Sequence, residues 1–297
     1  MSNVADFLTP DDLKKVSNLQ MVARLVVEGF ISGMHKSPHK GLSVEFAQHR
    51  PYVAGDEIRR LDWKVYGKTD RFYIREYEEE TNLRATLLLD LSGSMNYGKQ
   101  FTKAQYAVHL AASLAYLMMQ QRDAVGMGTF DTDLRRFIPP RSSVAHLKVI
   151  LDELHNSVVG GETDLGAVFR KIVPRVQRRG LLIIISDCYG ELTDLLKALA
   201  NFRQARHEII IFQVMDRDEV EFPFTEWAQF ESMEVAGDLQ LIDPVAFRNA
   251  YLQKREQFQS ELTQGCHRHR IELVPMITDQ PYAAALARFL TKRQSAA

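Results

Sequence analysis

Two periodicities organise the chain. Leu13, Val16, Leu19, Leu25 and Val26 recur at helical spacing within residues 10 to 34, behind Pro10 and Asp11, and predict a helix there. Met34 to Lys40 is rich in His, Lys and Pro and reads as a loop. Residues 41 to 84 are dense in charge and aromatics. Within them "LSVEF" alternates like a strand, "AGDE" reads as a turn and "RFYIREYE" as a second strand. From residue 84 short apolar runs alternate with helical patterns. Strands are predicted at Ala85 to Leu89, Ala124 to Phe130, Arg135 to Ile138 (a hairpin partner), Leu181 to Ser186, Glu208 to Met215 and "IELVPMI". Helices are predicted at Lys103 to Gln121, Ser143 to Leu154, Asp164 to Gln177, Leu192 to Ala205, Pro244 to His267 and from Pro281 onward, with a short β-rich piece at "FTEWAQFESME".

Strands such as "ATLLLD" and "LLIIISD" are apolar without alternation, as when helices cover both faces of a mostly parallel sheet. The expected fold is α/β, a Rossmann-like doubly wound, mostly parallel sheet with a small N-terminal β-rich module. The expected segments are a helix and loop over 1–40, the β-rich module over 41–83 and the main domain over 84–297.

Composition narrows the function classes. The 37 basic and 38 acidic residues leave a net charge of −1, which points neither to nucleic acid nor to an anionic membrane surface. Cys188 and Cys266 are too few for a disulfide framework and are expected to stay reduced. The opening "MSNVADFLTPDDLKK" lacks the apolar core of a signal peptide. The longest apolar runs, such as Leu181 to Ile185, fall far short of the roughly 20 residues that span a bilayer. A soluble cytoplasmic protein without membrane insertion is the expectation.

The candidate chemistry lies in "LLLDLSGSMNYG", where an apolar strand ends in Asp90 and hydroxyls follow at Ser92 and Ser94. In doubly wound sheets ligands bind beyond the carboxyl ends of the strands, which places Asp90 at that rim. Taken alone, D-x-S-x-S serves equally well for turn and capping hydrogen bonds. Two further segments are expected at the same rim: "GGETDLG", with Thr163 behind two glycines at a helix start, and "LLIIISDCYG", which ends a buried strand in Asp187. Asp90, Ser92, Ser94, Thr163 and Asp187 form an all-oxygen donor set suited to Mg²⁺ or Mn²⁺ rather than zinc.

This constellation resembles the metal-ion-dependent adhesion site of von Willebrand factor A domains. The resemblance implies Ser92, Ser94 and Thr163 as direct metal ligands and Asp90 and Asp187 as charge-balancing carboxylates acting through water, with a partner's carboxylate completing the shell. Where other members often show Asp-Gly, this chain has Asp187-Cys188. Upstream, the run from "GLSVEF" to "IREYEEE" resembles the hallmark of a bacterial family known as domain of unknown function 58. It is carried by Glu45, Phe46, Arg50, Tyr52, Gly55, Asp56, Arg59, Asp62, Trp63, Arg75 and Glu76. Together the two resemblances cover roughly residues 40 to 290. The second implies as partner a MoxR-type AAA+ ATPase or its client.

Other features read as structural. Arg59, Arg71 and Arg75 with Glu76, Glu78 and Glu79 suit cross-strand ion pairs. Cys266, His267 and His269 lack a second ligand pair for zinc, and "GMG" at Gly126 lacks the third glycine of a nucleotide fingerprint. Three function classes follow. The first is a non-catalytic, metal-dependent adaptor. The second is a metal-dependent phosphohydrolase of the haloacid dehalogenase type, which needs D-x-D where this chain has Ser92. The third is a Ser-His-Asp hydrolase, for which "DLSGS" offers no nucleophile elbow.

Overall fold

The computed structural model describes residues 18–36 and 83–296, apart from 100, 162, 163, 177, 234–236 and 238, together with residues 13, 49–51, 66–67 and 72–75. "LSVEF", "AGDE", Thr163 and the hallmark residues Glu45, Phe46, Tyr52, Gly55, Asp56, Arg59, Asp62, Trp63 and Glu76 lie outside the described residues, as do Arg71, Glu78 and Glu79. The chain divides into two compact units, Met1–Gly33 with Leu83–Ala297, and Met34–Asn82. The N-terminal helix α1 (Leu19–Lys36) is therefore grouped with the main unit up to Gly33.

In the smaller unit β1 (His49–Pro51) pairs antiparallel with β2 (Tyr73–Arg75), with Arg50 opposite Ile74. The rings of Tyr66 and Phe72 stack at 4.4 Å.

The main unit runs β3 (Arg84–Asp90), α2 (Lys103–Gln120), β4 (Ala124–Phe130), β5 (Leu134–Arg141), α3 (Val144–His155), α4 (Leu165–Ile172), β6 (Leu181–Ser186), α5 (Leu192–Gln204), β7 (Glu208–Met215), α6 (Arg217–Glu221), β8 (Ala228–Glu231), β9 (Leu239–Ile242), α7 (Pro244–Arg268), β10 (Glu272–Ile277) and α8 (Ala283–Ala296). Its sheet has the order β10-β7-β6-β3-β4-β5, parallel throughout except for β5 against β4. The expected doubly wound α/β architecture is what the chain forms. β3, β4 and β6 lie in the middle of the sheet and are buried along nearly their whole length, which is why they show no alternation. β8 and β9 form a separate antiparallel hairpin.

Local differences from the sequence expectation have plain causes. α1 begins at Leu19, where the Asn18 side chain accepts from the Gln20 and Met21 N–H groups, and it runs through Met34 to Lys36, a stretch whose composition reads as a loop. β5 extends through Pro139 and Pro140, which an edge strand tolerates because one side of it donates to no neighbour. Gly126 of "GMG" serves this edge, since a Cβ there would stand 2.7 Å from the Ile138 carbonyl oxygen. α4 stops at Ile172 and tightens into a 3₁₀ turn over Val173–Arg175, because Pro174 cannot supply a helical N–H.

One face of the sheet packs Leu88, Leu182, Ile184, Ile209 and Ile211 against α4, α5 and α7, where Phe169 and Phe202 are fully buried. Cys266 is buried in this core, so it packs as an apolar residue. The other face takes α2, whose Tyr106 ring lies 4.5 Å from that of Tyr282 ahead of α8. Half-buried His109 of α2 sits between Phe101 and Tyr282.

Phe169 meets Phe130 edge-on at 5.5 Å and Phe202 at 6.0 Å, and so fixes α4, the helix that follows the Gly-Gly loop. Phe169→Ala should lower the unfolding free energy by about 3–5 kcal/mol in urea titration. A change below 1 kcal/mol would show that α4 is not anchored through this ring.

Candidate metal-binding rim

β3 and β6 are neighbours whose chains leave toward opposite faces, β3 toward α2 and β6 toward α5. That is a topological switch point, where the outgoing loops diverge and leave a crevice. Asp90 closes β3 and Asp187 directly follows β6, so both predicted carboxylates stand at this crevice, each only 1% exposed.

The loop after β3 is fixed by hydrogen bonds on both sides. Asp90 accepts the Ser92 N–H on Oδ1 at 2.9 Å and the Ser186 hydroxyl on Oδ2 at 2.6 Å. Leu91 donates to the Phe130 carbonyl (2.7 Å), Gly160 to that of Leu91 (2.9 Å), and Gly93 to that of Gly161 (2.8 Å). The Gly-Gly loop is thereby zipped onto the D-x-S-x-S loop. Gly93 is required for close approach, because a Cβ there would collide with the backbone carbonyl of Met233. Gly93–Asn96 form a 3₁₀ turn with Ser92 as N-cap, yet the Ser92 side chain makes no capping bond. Its Oγ lies 3.2 Å from Ser94 Oγ instead. Two hydroxyls thus converge beside the Asp90 carboxylate, with which the Ser92 side chain also interacts.

Ser92, Ser94, Asp90 and Asp187 come together at one rim. Thr163 lies outside the described residues, two positions beyond Gly161. Its neighbour Asp164 caps α4, accepting from the Ala167 N–H at 2.8 Å.

Four residues that sequence reasoning missed complete the rim. Asp131, just past β4, is paired with Arg135, whose Nε lies 2.7 Å from Asp131 Oδ2 and whose guanidinium also donates to the Val158 and Gly160 carbonyls. Arg135 therefore clamps the Gly-Gly loop from its outer side. Lys103, the first residue of α2, is fully buried. Its Nζ lies 2.8 Å from Asp187 Oδ2, 2.7 Å from Glu219 Oε1 and 5.0 Å from the centre of the Tyr189 ring. Glu219 comes from α6, where it also closes a capping box on Asp216. A signal for Lys103 does exist in the sequence. It follows the N-cap Thr102 of a capping box with Gln105, and a cation at the positive end of a helix needs a nearby anion.

The turn after Asp187 bears on the Asp-Cys departure. Cys188 has φ +62°, in the left-handed region that favours glycine, and its N–H donates to Ser186 Oγ at 2.9 Å. The chain thus keeps a glycine-like turn with a cysteine in it. Burial first, and then Asp187, push the Cys188 thiol well up, so it stays protonated and unreactive.

Electrostatics favour a cation. Burial, then the charge of Asp187, raise the Asp90 carboxyl to about 7. Burial raises Glu219 as well, against Lys103. For Lys103 burial acts downward and is outweighed by Asp187 and Glu219, so the ammonium stays charged. Among the described residues no three His, Cys, Asp or Glu side chains converge as metal ligands. The donors here are two hydroxyls flanked by buried carboxylates, a set that fits a small hard cation and not a soft one. Among the described residues no helix is long and apolar enough to cross a membrane.

Comparison with known proteins matches residues 48–261 to the family described as "Protein of unknown function DUF58". Uncharacterized protein Rv1480 of Mycobacterium tuberculosis is 25% identical over 286 residues, which cover 94% of this chain and 89% of that protein. Uncharacterized protein Mb1516 of Mycobacterium bovis is similar to the same extent. Among solved structures, conserved hypothetical protein BatB from Bacteroides thetaiotaomicron is 16% identical with a TM-score of 0.45, covering 72% of this chain and 99% of that one. The VWA domain of SpRpn10 is 12% identical with a TM-score of 0.42, covering 70% and 95%.

Asp90 gives the metal-free rim a defined pH dependence. Its carboxyl titrates near 7 in the fold against 3.8 when unperturbed, so between those values the folded state holds the extra proton. Its contribution to stability is fully present below about pH 4 and is lost as pH rises through 7. Asp90→Asn should flatten this loss in urea unfolding measured in EDTA from pH 4 to 8. An unchanged slope would place the titration elsewhere.

Proposed function

The chain belongs to the DUF58 family, and on that premise we propose that it is a non-catalytic protein-interaction module that docks an acidic residue of a partner at a Mg²⁺ or Mn²⁺ site. Ser92, Ser94 and Thr163 hold the ion directly, and Asp90 and Asp187 balance its charge from the floor of the crevice. The convergence of Ser92 Oγ and Ser94 Oγ at 3.2 Å beside two buried carboxylates carries this reading. When bound, the ion supplies an open coordination position for a carboxylate. Asp90 orients the loop through the Ser92 N–H, and Arg135 holds the Gly-Gly segment against it. As partner we propose a MoxR-type AAA+ ATPase or its client, on the resemblance of the 41–80 segment to its family hallmark.

The runner-up is a phosphohydrolase that uses Asp90 as nucleophile. Both Asp90 oxygens already accept hydrogen bonds, from Ser92 and Ser186, and the side chain is 1% exposed. The position two residues on is Ser92, which cannot serve as the acid/base of that chemistry. The geometry therefore favours docking over attack.

Calorimetric titration should find one weak Mg²⁺ or Mn²⁺ site that disappears in Ser92→Ala/Ser94→Ala with the circular dichroism spectrum unchanged. Equal binding by the double variant would sink the assignment. A charge-assisted, partly desolvated contact of this kind is worth on the order of 2–5 kcal/mol. EDTA and Thr163→Ala should each weaken a complex with a purified MoxR-type ATPase by that amount. A complex indifferent to both would exclude docking through the ion.

A further inference from the structure

We propose, building on the divalent-cation reading above, that Lys103 is a built-in competitor for the metal, a tethered cation whose grip on Asp187 sets how tightly the rim binds an ion. The Lys103 ammonium lies 2.8 Å from Asp187 Oδ2, while Asp187 Oδ1 accepts the Tyr189 N–H at 3.1 Å. The Asp187 oxygen not engaged by backbone is therefore held by a cation of the chain's own. Any ion drawn to the Ser92 and Ser94 hydroxyls has to share that carboxylate with Lys103.

Fold stability does not account for a lysine in this place. Lys103 is the first residue of α2, where the helix dipole repels a cation, and its side chain is wholly buried. Replacing a buried ion pair with apolar residues of similar volume is often neutral or stabilising, so packing alone does not call for an ammonium. Charge does. Asp187 and Glu219 are two carboxylates on one ammonium, and that ammonium offsets part of the negative charge an incoming ion would meet at Asp187. Without Lys103 both carboxylates would face a divalent ion uncompensated, and the rim would hold that ion more tightly. Glu219 acts in the opposite sense, drawing the ammonium toward α6 at 2.7 Å and away from exclusive pairing with Asp187. Lys103 is thus a positioning residue. It keeps the crevice satisfied when no ion is bound and makes ion binding weak and reversible.

The test compares the full chain with Lys103→Met, which keeps the stem and removes the charge, and with Glu219→Gln, which keeps an acceptor for the Asp216 N–H. Each is titrated calorimetrically with MgCl₂ and melted in EDTA and in saturating Mg²⁺. Lys103→Met should bind Mg²⁺ about 10–100-fold more tightly, a change of the size that groups behind metal ligands cause but opposite in sign, because this group is a competing cation and not a supporting acceptor. It should also gain more melting temperature from Mg²⁺ than wild type does. Glu219→Gln should bind more weakly than wild type. A lysine with a merely structural role would give lower affinity in Lys103→Met, or an equal melting loss with and without Mg²⁺, and either result overturns the proposal. Should Lys103→Met fold only in Mg²⁺, the proposal stands. Should it fold in neither, Glu219→Gln decides, and unchanged or tighter binding overturns it. Wild-type binding that is lost in Ser92→Ala/Ser94→Ala while Lys103→Met stays at wild-type affinity removes the role of Lys103 and leaves the metal site. Absence of binding in every chain removes the metal site and this proposal with it.

Discussion

Two carboxylates buried on neighbouring parallel strands are the constraint around which this rim is arranged. Asp90 and Asp187 stand at the ends of β3 and β6, shielded from water, and the charge of Asp187 adds to the cost of ionising Asp90. Such a pair persists only if each of its oxygens finds a donor. The chain supplies those donors from four directions: the Ser92 and Tyr189 N–H groups, the Ser186 hydroxyl and the Lys103 ammonium. The demand for donors fixes the loop after β3, the left-handed turn at Cys188 and the unusual start of α2.

The fold was legible because its signal is periodic and local. Unbroken apolar runs at Leu87–Leu89 and Leu181–Ile185 announce strands covered on both faces, and the structure places them side by side in the middle of one sheet. Boundaries shifted where proline chemistry intervened, at Pro139–Pro140 on the edge strand and at Pro174 after α4, and at the N-terminal helix, which runs Leu19–Lys36 into the segment expected as a loop. The order of strands was not in the pattern. It follows from crossovers of dozens of residues, and no local period encodes which neighbour a buried strand will choose.

The candidate rim was half legible. D-x-S-x-S and the strand-terminal Asp187 are short motifs whose residues act where they sit in sequence, so reading Asp90, Ser92, Ser94 and Asp187 together needed only the rule that ligands gather beyond strand ends. Lys103 and Glu219 escaped because their roles are made of distance. Lys103 lies 84 residues from Asp187 and 116 from Glu219, and neither spacing is a motif. Arg135 escaped for a different reason. Its partner Asp131 is four residues away and readable as a routine ion pair, whereas the bonds that matter reach the Val158 and Gly160 carbonyls. Backbone acceptors leave no trace in side-chain composition.

The two halves of the rim then divide the work by what they are attached to. The hydroxyls of Ser92 and Ser94 lie on a loop whose position is set by backbone bonds to Phe130, Gly160 and Gly161, so their spacing does not depend on any cation. Asp187 is held through Lys103 to α6, and α6 leads by chain into the β8–β9 hairpin, whose Met233 carbonyl closes over Gly93. The donor loop and the charge behind it are therefore joined twice, once through the crevice floor and once over the top. A change in how Asp187 is shared has a covalent and ionic route to the segment covering Gly93. The carboxylates at the strand ends are thus already committed to holding the rim together.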